Sequence, residues 1–144
     1  MSECKWAPRE GTTTNSPNVW REAVNEETIG PIMAHLGRLK PEWGHAPKDV
    51  VEKTITGDFQ LWSVNNLEGI VFTEIRLLPQ HKELNMAFGL GNLLPFHKEI
   101  DAVLTEFGRV NYCKYITEVG RKGWMRLGKP LGYRDRFTMM AKEI

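Results

Sequence analysis

Two cysteines in 144 residues, Cys4 and Cys113, neither in a Cys-x-x-Cys pair, leave no material for a disulfide framework or a thiolate zinc site. Reduced thiols and synthesis in a cytoplasm are therefore expected. No apolar run approaches the roughly 20 residues needed to cross a bilayer, and the first 20 residues carry no apolar core of a secretory leader. A membrane is thus not among the expected partners. His-Glu-x-x-His, Gly-x-Ser-x-Gly and P-loop patterns are all missing. His35, His45, His81 and His97 fall on different segments without ligand spacing, so no metal is expected. A formal net charge of +1 argues against bulk nucleic-acid binding.

What is present fits one ordinary domain. The 41% hydrophobic and 26% charged content is that of a soluble globular chain, long enough to bury about two thirds of its unfolded surface. Charge is unevenly placed. Residues 114 to 144 hold eight Lys or Arg against three Asp or Glu, whereas residues 1 to 113 are net acidic. That basic segment reads either as a solvated strand face or as a face for an anion or a partner, with nucleic acid a weak possibility.

In chain order, residues 1 to 24 include the aperiodic run Thr12-Thr13-Thr14-Asn15-Ser16-Pro17 and read as an extended arm, in which Trp6 and Trp20 can anchor on this domain or on another subunit. A single domain is expected over 25 to 144. Asn25, Glu26 and Glu27 open a helix whose apolar stripe is Ile29, Ile32, Met33 and Leu36, with Pro31 as a first-turn residue. Pro47 opens a second helix with Val50, Val51 and Ile55 on its apolar side. Alternation over 59–64, 70–78 and 83–90, separated by short turns, predicts a three-stranded meander. Ile100, Val103, Leu104 and Phe107 then recur at helical spacing. The chain ends as strand (112–119), short helix (121–127) and strand (133–142). The layout is α+β, a mixed, largely antiparallel sheet flanked by helices.

The last third carries an ordered set of residues: Arg126-Leu127-Gly128-Lys129-Pro130-Leu131-Gly132-Tyr133 before a closing strand, preceded by Gly120-Arg121-x-Gly123-Trp124-x-Arg126. This ending resembles the GNAT (Gcn5-related N-acetyltransferase) superfamily, and more closely a group of small GNAT-like proteins of tailed bacteriophages. The resemblance implies a GNAT-like fold with the acetyl-CoA pyrophosphate on the helix after the meander, cradled by Gln/Arg-x-x-Gly-x-Gly/Ala. Met86-Ala87-Phe88-Gly89-Leu90-Gly91 matches in its glycines alone, and Asn92-Leu93-Leu94-Pro95 intervenes before the helix. The family's thiolate-protonating tyrosine falls on Gly128, with Tyr133 or Tyr112 as substitutes. A general base on a meander strand would be Glu74, unless that carboxylate pairs with Arg76 or Arg121.

From the phage resemblance and the two departures, the expectation is a protein without acetyltransferase activity and without a cofactor, an accessory or internal virion component made in the host cytoplasm. Its arm and basic face, through Trp6, Trp20, Arg121, Trp124, Arg126, Arg134 and Arg136, would contact other virion proteins in a homo- or hetero-oligomeric assembly. The alternative is an acyl-CoA-dependent N-acyltransferase with a degenerate phosphate loop. In that case acetyl-CoA lies at Gly89, Gly91 and Asn92, with Glu74 and Tyr133 catalytic.

Overall fold

Alternation in Phe59-Gln60-Leu61-Trp62-Ser63-Val64 sends Leu61 to one face of a sheet and Trp62 and Val64 to the other. Both faces are covered, so every residue of this strand is buried. The computed structural model describes residues 15–119, 122–137 and 139–144. It contains strands β1 (Val19–Glu22), β2 (Gln60–Val64), β3 (Gly69–Leu77), β4 (Lys82–Gly91) and β5 (Tyr115–Glu118), with helices α1 (Ile29–Leu36), α2 (Pro47–Ile55), α3 (His97–Val110) and α4 (Lys122–Gly128). The sheet runs β1-β2-β3-β4-β5. The first four strands are antiparallel neighbours, and β5 joins parallel to β4 after the α3 crossover.

Each face of the sheet has its own core. On one side α3 lays Ile100, Val103, Leu104 and Phe107 over Trp62, Val71 and Leu84, with Trp62 and Phe107 edge to face at 5.0 Å. On the other, Ile32 and Leu36 of α1 and Val50 of α2 cover Leu61, Ile70, Phe72 and Leu90. Helix α1 begins later than expected, with Thr28 and not Asn25 at its N-cap and Glu26 and Glu27 outside its first turn; Asn25 Oδ1 instead accepts from the Glu27 and Thr28 amides in the turn ahead of it, and Asp49 accepts from the Ala46 amide at the start of α2. Ile55, expected on the apolar side of α2, is exposed. No described helix is long and apolar enough to cross a membrane.

Two expectations are corrected. Residues 19–22 are not arm: they form β1, paired Val19↔Val64 through Glu22↔Leu61, with Val19 wholly buried. Ser16 and Asn18 reinforce the attachment through hydrogen bonds to the Glu99 carboxylate on α3. Residues 1–14 lie outside the described part. The expected terminal strand over 133–142 is also not formed among its described residues, all of which except Tyr133 are exposed. The segment still runs antiparallel along β5, pinned by side chains instead of a backbone ladder. Tyr133 reaches Asp101 beside the far end of β5, and Arg136 reaches Glu83 and the Tyr115 ring at its start.

Candidate functional site

A one-residue irregularity in β4 makes the site. Phe72 pairs with Phe88 and Thr73 with Met86, so Ala87 is an extra residue, and Ala87 and Phe88 both pack on the α1/α2 core. Such a bulge bends its strand. Pairing with β5 ends at Met86↔Glu118, and beyond it the edge of Ala87–Gly91 that faces away from β3 has no strand beside it among the described residues. β4 and β5 therefore part, leaving a cavity of about 990 Å³, at the upper end of the roughly 300–1,000 Å³ usual for small-molecule sites. Met86, Ile100, Trp124 and Leu127 give it apolar walls.

On the α3 side three polar groups converge. The Tyr133 hydroxyl donates to Asp101 Oδ1 at 2.9 Å. Burial pushes the Tyr133 hydroxyl far above the ordinary tyrosine range, reinforced by the Asp101 charge, by this hydrogen bond and by Glu118, so the group holds its proton at neutral pH. Glu118, the last residue of β5, is also pushed up, first by burial and then by the Asp101 charge. The position of Tyr133 explains Gly128: a Cβ there would lie 3.2 Å from Tyr133 Cβ and 3.4 Å from its Cγ. The tyrosine thus fills the space that a side chain at 128 would enter.

On the α1/α2 side, Glu74 shares a face with Ile70 and Phe72, as its parity requires. Asn85 Nδ2 donates to Glu74 Oε2 at 3.3 Å, and Thr117 Oγ1 donates to Asn85 Oδ1 at 3.0 Å, a chain of contacts across β3, β4 and β5. The expected ion pair with Arg76 does not form, and Arg121 lies outside the described residues. Trp43, His45, Phe59 and Phe88 group their rings over this mouth, with His45 and Phe88 edge to face at 5.3 Å.

Gly89 and Gly91 line the cavity from within β4, not from a loop at a helix start. A Cβ on Gly89 would lie 2.8 Å from Leu93 Cδ1. One on Gly91 would lie 2.5 Å from the Glu68 carbonyl oxygen and 2.6 Å from His35 Cε1, and Gly91 has φ +85°. The Asn92 amide donates to the Glu68 carbonyl at 3.1 Å. Close packing of the hairpin is thus sufficient reason for both glycines.

The residues expected at a partner face scatter. Trp124 points inward, half-buried against the α3-side core and lining the cavity. Trp20 is half-buried on β1, its indole donating to Glu22 Oε2 at 3.3 Å. Arg136 is engaged within the domain, 2.6 Å from Glu83 Oε2 and 4.8 Å above the Tyr115 ring. Arg134 donates to the Tyr133 carbonyl and is exposed, as is Arg126. Trp6 and Arg121 fall outside the described residues. Asp101, Glu118, Asn85 and Trp43 escaped the sequence reading; each occupies an ordinary polar or loop position, and no motif marks it.

No family model matches the sequence, and no curated protein matches it. Solved structures do match in shape. A Trypanosoma brucei acetyltransferase superposes with a TM-score of 0.68 at 10% identity, over 88% of this chain and 100% of its own. A GNAT family acetyltransferase of Staphylococcus aureus gives 0.58 at 16% identity, over 88% and 99%. The aminoglycoside N-acetyltransferase AAC(6')-Iy, solved with CoA, gives 0.61 at 9% identity, over 92% and 98%. The fold is that of the GNAT acetyltransferases.

Proposed function

We propose that this chain is an N-acyltransferase that moves an acyl group from a coenzyme A thioester to an amine within the bay between β4 and β5. The observation that carries the reading is the Tyr133 hydroxyl, delivered over Gly128 into the cavity with its proton retained. The thioester supplies the activated acyl group; in the exchange its C–S bond breaks and a C–N bond forms. Glu74, steadied by Asn85, accepts the proton that the attacking neutral amine gives up on the α1/α2 side as its C–N bond forms. Tyr133 turns from Asp101 to protonate the departing thiolate on the α3 side, and regains its proton from solvent through Asp101 and Glu118. Transfer by a positioned acid contributes about 10²- to 10⁴-fold.

The second reading, a GNAT-fold virion component without catalysis, is favoured by one observation: the glycines of the expected phosphate cradle are occupied by Leu93, His35 and Glu68. Calorimetric titration with acetyl-CoA, followed by thiol release in the presence of small primary amines, separates the two. Binding and thiol release, the latter lost in Tyr133→Phe, support the acyltransferase. Silence at millimolar acetyl-CoA, with the chain recovered from purified particles by mass spectrometry, supports the virion component.

A further inference from the structure

We infer that the bay grips only the thioester and the pantetheine arm of its donor and leaves the nucleotide end unheld, so that its substrate class is pantetheine thioesters at large. This deepens the acyltransferase reading and rests on it.

A pantetheine arm is a narrow chain carrying two amides, and it needs apolar walls and backbone groups to pair with. The bay has both. Met86, Ile100 and Trp124 line it, and the bulge at Ala87 turns the edge of Ala87–Gly91 into a stretch of strand with no β5 residue opposite. An extended amide chain can add to such an edge by main-chain hydrogen bonds.

The nucleotide end has the opposite needs: phosphates require free backbone N–H groups or cations. Where β4 passes into α3, three of those donors are engaged. The Asn92 amide donates to Glu68, and the Phe96 amide donates to the Leu93 carbonyl at 2.9 Å. Pro95 has no amide hydrogen. The His97 amide donates to the Leu94 carbonyl. Of the described lysine and arginine side chains lining the cavity, Arg38 and Lys40 belong to the loop after α1 and Arg76 to β3. The α3 side instead presents Asp101 and Glu118, whose sign disfavours phosphate. A side chain added at Gly91 would collide with the Glu68 carbonyl, and one at Gly89 would have to displace the end of Leu93.

Titrating the purified full chain with acetyl-CoA, with S-acetylpantetheine and with adenosine 3',5'-bisphosphate tests this directly. The two thioesters are expected to bind within about tenfold of one another, a difference of about 1.4 kcal/mol at most, and the bisphosphate is expected to give no heat at millimolar concentration. Acetyl-CoA binding more than about tenfold tighter, or competition by the bisphosphate, would overturn the inference while leaving the acyltransferase intact. Failure of both thioesters to bind would remove both. As an independent check, acetyl-CoA affinity should change by less than about twofold between low and moderate salt, because screening acts on a phosphate contact that is not made. A steep salt dependence also overturns it.

Discussion

Tyr133 and Gly128 behave as one unit, since the ring of the first occupies the volume refused to the second. Tyr133→Phe keeps that ring and removes only the hydroxyl. Thiol release should fall by about 10²- to 10⁴-fold with stability lowered by about 1–3 kcal/mol from the lost bond to Asp101, read from turnover and urea midpoints. A loss of folding without a specific loss of turnover would assign the hydroxyl to structure alone. Glu118 allows a prediction of the opposite kind. Its folded proton affinity is raised, so its contribution to stability is fully present below the unfolded carboxylate pKa and is lost as pH rises through the folded value. Glu118→Gln removes that loss, and the variant should withstand more urea than the parent at pH 8 and about the same amount at pH 4. Equal midpoints at both pH values would show that the carboxylate is not held up. Gly91, with φ +85° and the Glu68 carbonyl at 2.5 Å from any added Cβ, should lose about 1–3 kcal/mol on change to Ala.

β1 and the C-terminal segment are held by unlike means, and perturbing each gives a different signature. β1 adds Val19 to the core and covers the edge of the fully buried β2, so Val19→Ala should cost about 1–3 kcal/mol by cavity formation. Removing residues 15–22 should expose β2 and promote association, seen by size exclusion. The C-terminal segment hangs instead on Tyr133 and on Arg136. Burial alone would raise Glu83, yet hydrogen bonds from His81 and Arg136 more than offset it and hold the carboxyl below its ordinary range. That attachment is present above the unfolded carboxylate pKa and is lost as pH falls through the folded value. Amides of 134–137 should therefore sharpen toward random-coil shifts in acid while α3 stays intact, and Arg136→Gln should produce the same spectrum near neutrality. Legibility in the sequence follows the same division. The meander and α3 are readable because their stretches repeat with a single period set by burial on known faces, and α2 because Pro47 marks its first turn. β1 is not, because a four-residue strand, VWRE, beside a polar run shows no period. Alternation over 133–142 was real, but it specifies faces and not a ladder partner, and side-chain anchors took over the role of the ladder. The bay itself has no mark in the sequence: nothing at Ala87 signals a bulge, and Asp101 and Glu118 look like solvent positions until α3 and β5 bring them together.

The whole molecule divides at the bay. On one side stand β1 to β4 with α1, α2 and α3, joined by long antiparallel ladders and two buried clusters. On the other stand β5, α4 and the C-terminal segment, attached through Glu83↔Tyr115 to Met86↔Glu118, the partly buried Ile116 and Trp124, and the two side-chain anchors. The second part contributes little fully buried apolar surface, so it should open at a free energy below that of global unfolding. Native-state hydrogen exchange should find β2, β3 and the Leu104–Phe107 stretch of α3 exchanging only through complete unfolding, with β5 and α4 exchanging faster by at least about 2 kcal/mol. A thioester bound between the two parts touches both, and it should slow the fast class first. At about 100 times its dissociation constant it can add at most about 2.7 kcal/mol to any opening that expels it. Protection gained at β5 and α4 with β1 and β2 unchanged is the expected pattern. Equal slowing everywhere would mean that the domain opens as one body, and no slowing at saturating thioester would mean that the ligand does not sit between the two parts.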